Sequence, residues 1–205
     1  AAREEVFRSV LEGRRRHAPD GGPSEEGMRI LDQVLFHHHS HGEIREFFAR
    51  LRLGPDMRRA IFPVVNAQEL FRRELELTNH GVKRTFRFWS AEQKAAYIAQ
   101  ASYLIAALRA QGHEACLGYG GVLSVVREQD LIPHDDDIDV IVSAPRAAFA
   151  TLADFMARTG AELASQGFRV AGNFVSHRHA RLPDWPAPVD VFFGFHETDS
   201  AAWYP

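Results

Sequence analysis

Cysteine is almost absent from this 205-residue chain: Cys116 stands alone, so no internal disulfide can form and nothing indicates an oxidising compartment. Lysine is nearly as scarce, with only Lys83 and Lys94 among 24 basic residues, a bias that carries little physical information. Long apolar runs are missing too. None approaches the roughly 20 residues needed to cross a bilayer, and the opening AAREEVFRSV lacks the charged-then-apolar order of a secretion signal. These absences point to a soluble chain with a cytoplasmic address, and they leave peripheral attachment to a membrane open. The abrupt start at Ala1 and end at Pro205 also leave open that the chain is a piece of a longer protein. Excess positive charge is lacking where it would matter most. Residues 1–90 carry 16 basic and 13 acidic side chains, but residues 91–205 carry 8 and 14. An acidic half does not suit binding to bare nucleic acid, which is driven by neutralising phosphates. It does suit recruitment of divalent cations.

What the chain has is an ordinary globular composition, 45% hydrophobic and 25% charged. Residues 1–90 read as a helical accessory region, with apolar faces at Val6 and Val10, at Ile30, Leu31, Val34 and Leu35, and at Ile44, Phe47, Phe48 and Leu51. The tract HHHSH at 37–41 reads as a solvated helix end, because consecutive histidines on a helix point in different directions. Residues 91–205 read as the catalytic domain. Ser90 and Gln93 form a capping-box pattern for a helix over about 91–110, stopped by Gly112. A short strand near 115–118, a brief helix over about 122–127 and a strand at 137–142 follow. Pro145 and Gly160 bracket a second helix, with Phe149, Leu152, Phe155 and Met156 on one side. FRVAG, FVSHRH and PVDVFFGF (188–195) supply further strands. This mixture predicts an α+β domain, a mixed sheet flanked by helices and preceded by a helical N-terminal region.

Within the domain, GYGGVLSVVREQDLIPHDDDIDVIV (118–142) puts four aspartates into five positions at the mouth of an apolar strand. Like charges this close repel, and an unpaired carboxylate is costly to desolvate, so the cluster needs a cation or an open, wet rim. In a strand, Asp137 and Asp139 share a face. Asp190, in the apolar-acid-apolar text Val189-Asp190-Val191, is the best third partner, and three carboxylates make a hard oxygen site of the kind that holds Mg²⁺. Gly120 and Gly121, between a strand and a helix, would let backbone N–H groups approach a phosphate. Arg127, further along the same short helix, would reach a second phosphate oxygen or else pair with Glu128.

This text resembles the nucleotidyltransferase-fold superfamily, and most closely the LicD family, which includes fukutin and fukutin-related protein. The resemblance is carried by Gly120 to Arg127, then Ile132-Pro133-His134 and Asp135 to Asp139. It is strong over 115–142 and extends loosely to Asp190. His134 stands where the family usually has Trp, and Gly121 where it often has Thr or Ser. The resemblance implies a metal-dependent phosphotransferase that moves a phospho-alcohol group, such as phosphocholine or an alditol phosphate, from a CDP-linked donor to a glycan hydroxyl and releases CMP. Asp137, Asp139 and Asp190 would be catalytic and, with Asp135, would bind Mg²⁺ or Mn²⁺. Gly120, Gly121, Ser124, Arg127 and His134 would bind the substrate.

Two other readings stand beside this one: a nucleotidyltransferase placing NMP from NTP on a small molecule, RNA or protein, and a catalytically silent interaction domain of a larger glycan-assembly protein. Plainer readings exist for single residues. His177 and His179 share a strand face that either lines the pocket or, more plainly, is solvent-exposed; Phe192, Phe193 and Phe195 read as core, and Trp185 as a pin for its proline-rich loop.

Overall fold

The computed structural model describes residues 62–63, 66–78, 80–197 and 200–203. The helix faces read between Val6 and Leu51 and the histidine tract at 37–41 lie outside the described residues. The chain divides into two units, Ala1–Phe88 and Trp89–Pro205. The first contains an antiparallel hairpin, β1 (Glu76–Thr78) and β2 (Gly81–Lys83), which the helical reading of 1–90 did not include. The buried Asn66 side chain holds β1 by accepting from Leu77 N–H (2.6 Å) and donating to Leu77 O (3.2 Å). Strands of three residues are too short to show a period-2 pattern.

The second unit opens with α1 (Ala91–Ala110). Ser90 caps it as expected: its hydroxyl accepts from Gln93 N–H, and the Gln93 side chain accepts from Ser90 N–H. Next come β3 (Glu114–Leu117), α2 (Tyr119–Leu123), which continues as a wider turn over Ser124–Glu128, and β4 (Asp139–Pro145). Then follow α3 (Leu152–Ser165), β5 (Arg169–Ala171), β6 (His177–Arg181), β7 (Val189–Glu197) and β8 (Ser200–Trp203). The six strands form one mixed sheet in the order β3-β4-β7-β6-β5, with β8 also on β7. Only β4 and β7 run parallel; every other neighbouring pair is antiparallel.

Alternation along the two central strands separates core from site. Val140, Val142 and Ala144 of β4, and Val189, Val191 and Phe193 of β7, are buried. They lie on the face covered by α1 and α3, whose Tyr97, Leu104, Leu108, Phe155, Met156 and Leu163 are buried with them. Phe155 meets Phe193 edge-on at 5.1 Å. Asp139 and Ile141, with Asp190 and Phe192, therefore point to the opposite face. That face is only partly covered: α2 crosses it at the β3–β4 side. A Cβ on Gly118 would lie 2.4 Å from Ile141 Cγ1, and one on Gly121 would lie 3.3 Å from the Asp139 carbonyl oxygen. The small residues let α2 sit directly on β4.

Several boundaries differ from expectation. The strand begins at Asp139 and not at 137, so Asp137 belongs to the segment that leads into it. Pro145 ends β4, and the second helix starts later, capped by the Thr151 hydroxyl accepting from Asp154 N–H. Gly160 lies inside that helix, where its bare Cα faces Val170 Cγ1 (3.6 Å from a built Cβ). The turn after the helix carries the glycine that does stop it, Gly167 (φ +91°). Phe192 and Phe195 are half-buried, so of the three phenylalanines only Phe193 is fully core.

Gly118→Ala should destabilise the protein by about 1–3 kcal/mol, because the new methyl group overlaps Ile141 in a packed contact. Urea unfolding followed by far-UV circular dichroism measures this, and a midpoint equal to that of the parent would contradict the packing described.

Candidate active site

The site is built from three neighbouring strands. Asp139, the first residue of β4, pairs in register with Asp190 of β7, and Asp190 pairs in register with His179 of β6. Neighbouring strands lie about 4.8 Å apart. An acid, an acid and an imidazole thus form one row across the open face. The row has neighbours close in sequence: Asp135, Asp136 and Asp137 lead into β4 and are half-buried, with Asp136 N–H donating to Asp135 Oδ1 (3.0 Å). Gly120 fits against them, since a Cβ there would lie 2.7 Å from Asp135 Oδ2 and 3.9 Å from Asp139 Oδ2.

Backbone bonds lock this arrangement. Asp190 N–H donates to Ile138 O (3.0 Å), and Gly118 N–H donates to Asp139 O (2.9 Å). Tyr97 of α1 closes the remaining gap from the core side. Its hydroxyl donates to Pro188 O (2.5 Å) and accepts from Ile138 N–H (3.2 Å), so one phenol ties the segment before Asp139 to the segment before Asp190. Burial first, then the negative charges of Asp137, Asp190 and Asp136, raises the Tyr97 hydroxyl far above its ordinary range, and its backbone bond to Ile138 opposes this only in part. The phenol stays neutral and keeps its proton for Pro188.

Electrostatics show the cost of the cluster. Burial, followed by the charges of Asp136, Asp139, Asp135 and Asp190, pushes the Asp137 carboxyl up to about 7. Five carboxylates gathered here suit a hard dication with oxygen ligands. The glycine position that admits Asp135 beside Asp139 is the feature of the backbone that fits such an ion. Opposite them, His179 Nδ1 shares a hydrogen bond of 2.5 Å with Asp190 Oδ1.

Residues 112–203 match the family model LicD/FKTN/FKRP, nucleotidyltransferase domain. This stretch is a LicD-family domain. The LicD family is one of glycan-modifying phosphotransferases on a nucleotidyltransferase-like fold, and the mixed six-stranded sheet with its helices is of that kind. No curated protein gives a significant match. Among solved structures this chain is similar to ANT(2")-Ia in complex with adenylyl-2"-tobramycin, at 17% identity and a TM-score of 0.35, over 55% of this chain and 55% of that one. No helix among the described residues is long and apolar enough to cross a membrane.

The LicD domain sets Asp135 beside Asp139 at Gly120 and pairs Asp139 in register with Asp190, with Asp137 in the segment leading into β4, but it spreads the other expected contacts. Ser124 is buried and its hydroxyl donates to Gly121 O (2.7 Å), holding the turn after α2. Arg127 is exposed and pairs with Glu128 (2.9 Å). His134 is exposed in the turn ahead of the aspartates. Gly120 and Gly121 lie within the first turn of α2, which starts at Tyr119 and not near 122, and packing around Asp135 and Asp139 accounts for both. Three residues carry more of the site than their sequence signals indicate. Tyr97 was legible only as one more apolar residue of a helix face, although a buried phenol needs a hydroxyl partner. His179 was read as exposed, yet it is half-buried on Asp190. Tyr119, flanked by glycines, takes a left-handed backbone (φ +38°) and sets its ring edge-on to Phe192 at 4.9 Å.

Two outcomes follow from this geometry. Tyr97→Phe leaves Ile138 N–H and Pro188 O without the phenol and should cost about 1–3 kcal/mol in urea unfolding. For Asp137, the folded carboxyl near 7 and the unfolded value of 3.8 mean that the folded state holds the extra proton between those values. Its contribution to stability is therefore lost as pH rises through that window. In chelator-treated protein, Asp137→Asn should raise the melting temperature by a few degrees at pH 8 and change it little near pH 4.

Proposed function

We propose that the domain transfers a phospho-alcohol group from a CDP-linked donor to a hydroxyl of a glycan and releases CMP. The observation that carries this reading is the in-register pairing of Asp139 with Asp190 on adjacent parallel strands, with Asp135 and Asp137 alongside. These four carboxylates would hold Mg²⁺ or Mn²⁺. Such an ion, when bound, offsets the charge of the diphosphate and steadies the departing CMP.

The chain's own residues then have separable tasks. Asp190 draws the proton from the incoming hydroxyl, and His179, bonded to its Oδ1, orients that carboxylate and shares the charge change. Tyr97 fixes the spacing between the two strand entries on which Asp139 and Asp190 sit. Gly120 keeps the backbone of α2 low enough for Asp135 to lie beside Asp139. Tyr119 and Phe192 give the open face an aromatic border next to the acids, a surface that suits the flat face of a base or the apolar face of a sugar ring. Substrate contacts by Ser124, Arg127 and His134 belong to this reading only if the donor reaches past α2, since Ser124 is buried and Arg127 is paired with Glu128. A cytoplasmic location, with peripheral access to a membrane-borne acceptor, goes with the same proposal.

Incubation with Mg²⁺ and a panel of CDP-alcohols should release CMP in the presence of a glycan acceptor, and Asp139→Ala or Asp190→Ala should lower the rate by at least about a thousandfold, the scale of losing electrostatic stabilisation at a reacting phosphate. Pyrophosphate release from NTPs alone would replace the proposal with nucleotidyl transfer. No turnover of either donor class would leave a binding role.

A further inference from the structure

The row Asp139–Asp190–His179 does not end in a lone imidazole. His177 lies two residues before His179 on β6, so both rings stand on the same open face as Asp190. One ligand atom from each of His177, His179 and Asp190 lies within 4.8 Å of the other two, and all three residues are half-buried. Orienting the Asp190 carboxylate needs one histidine; the second has no part in that task.

The surroundings hold both rings in place. His177 is sandwiched between Phe174 (ring centroids 3.8 Å apart, 14° between planes) and Phe192 (4.9 Å, 26°). The edge of His179 meets Phe174 at 5.2 Å. Phe174 reaches this position because Gly172 turns the chain with φ +95°; a Cβ there would lie 2.9 Å from the Phe174 ring and 3.2 Å from His179 Cδ2. The result is two imidazoles with restricted rotation and a carboxylate, backed by apolar rings and open on one side. Preorganised ligands behind an apolar shell are what a tight metal site requires.

We propose that His177, His179 and Asp190 bind a first-row transition-metal dication of the Zn²⁺ or Co²⁺ type, at a position beside the all-carboxylate site and sharing Asp190 with it. Imidazole nitrogen favours these ions over Mg²⁺, and three protein ligands leave a coordination position for water or a substrate oxygen. The ion takes the place of the proton now shared by His179 Nδ1 and Asp190 Oδ1. The inference rests on the phosphotransfer reading only through Asp190, which both sites use.

The test is metal uptake by the 205-residue chain without a tag, stripped with chelator and titrated with Co²⁺, with visible ligand-field absorption as the readout. The expected result is one saturable ion with imidazole ligation, whose affinity falls by at least about tenfold in His177→Ala and in His179→Asn. The asparagine variant retains a side-chain donor for Asp190. If it binds Co²⁺ as the parent does, His179 only positions Asp190 and the proposal is wrong; unchanged uptake in His177→Ala is equally fatal. The histidines at 37–39 and 41 are common to all variants, so the difference between parent and variant reports this site alone. Circular dichroism melts identify any variant that does not fold, in which case Gly172→Ala, with every ligand intact, should weaken uptake by displacing Phe174. The Co²⁺ spectrum is read with no donor present. A histidine-dependent signal without CMP release would keep the metal site and reject the phosphotransfer reading, and CMP release with spectra indifferent to both histidines would do the opposite.

Discussion

Parallel pairing of β4 with β7 governs everything else in the second unit. Because side chains alternate along a strand, a slip of one residue in this register would set Asp190 against Val140 and turn an acid toward the core. The valines and Phe193 on the covered face prevent that slip: they are buried only when the acids point outward. Hydrophobic packing on one side of the sheet therefore determines carboxylate geometry on the other. Tyr97 adds a polar fastening at the point where packing alone is least decisive, the entry to both strands, where Ile138 and Pro188 end their extended segments.

The price of such a cluster is visible in Asp137, whose carboxyl is pushed up to about 7 by burial and then by the charges of its neighbouring acids. Two of the basic side chains in this unit are committed to other acids. Among the described residues Arg127 and Lys94 pair elsewhere, with Glu128 and Asp130. A site that gathers this many acids is suited to a hard cation with oxygen ligands. The glycines beside it belong to the same design. Their small size matters here more than their flexibility, because Gly118, Gly120 and Gly121 each stand where a methyl group would press on Ile141, Asp135 or the Asp139 backbone.

Much of this was legible in the sequence because strong local signals carried it. Ser90 with Gln93 marked the start of α1, the β-branched run after Asp139 marked the central strand, and the aspartate text with its upstream glycines marked both site and family. The pairing of Asp139 with Asp190 could be guessed from the matched apolar-acid-apolar pattern, but its register could not, since that depends on partners distant in sequence. Where local signals are weak or ambiguous, the sequence pattern points away from the structure. Gly160 looked like a helix stop and is a packing contact, because a glycine inside a helix and one after it are written alike. His179 looked like a surface residue because β6 carries the polar text His-Arg-His-Ala-Arg, and only the strand order reveals that Asp190 lies next to it. Tyr97 was placed on the right helix face, but the role of its hydroxyl depends on two loops that no helical pattern foretells.

The central parallel pair also bears on how the protein comes to exist. Asp139 and Asp190 are about fifty residues apart along the chain, and a parallel connection cannot be closed by a hairpin, so α3, β5 and β6 must all be made before β7 can dock beside β4. Contacts of this span form late and slowly. On the ribosome, the acids of β4 emerge and stay exposed while their partner is still untranslated, and the grouping that concentrates charge is assembled only with the last long strand. The chain thus acquires its chemistry at the end of folding, when the packing strong enough to hold it is already in place.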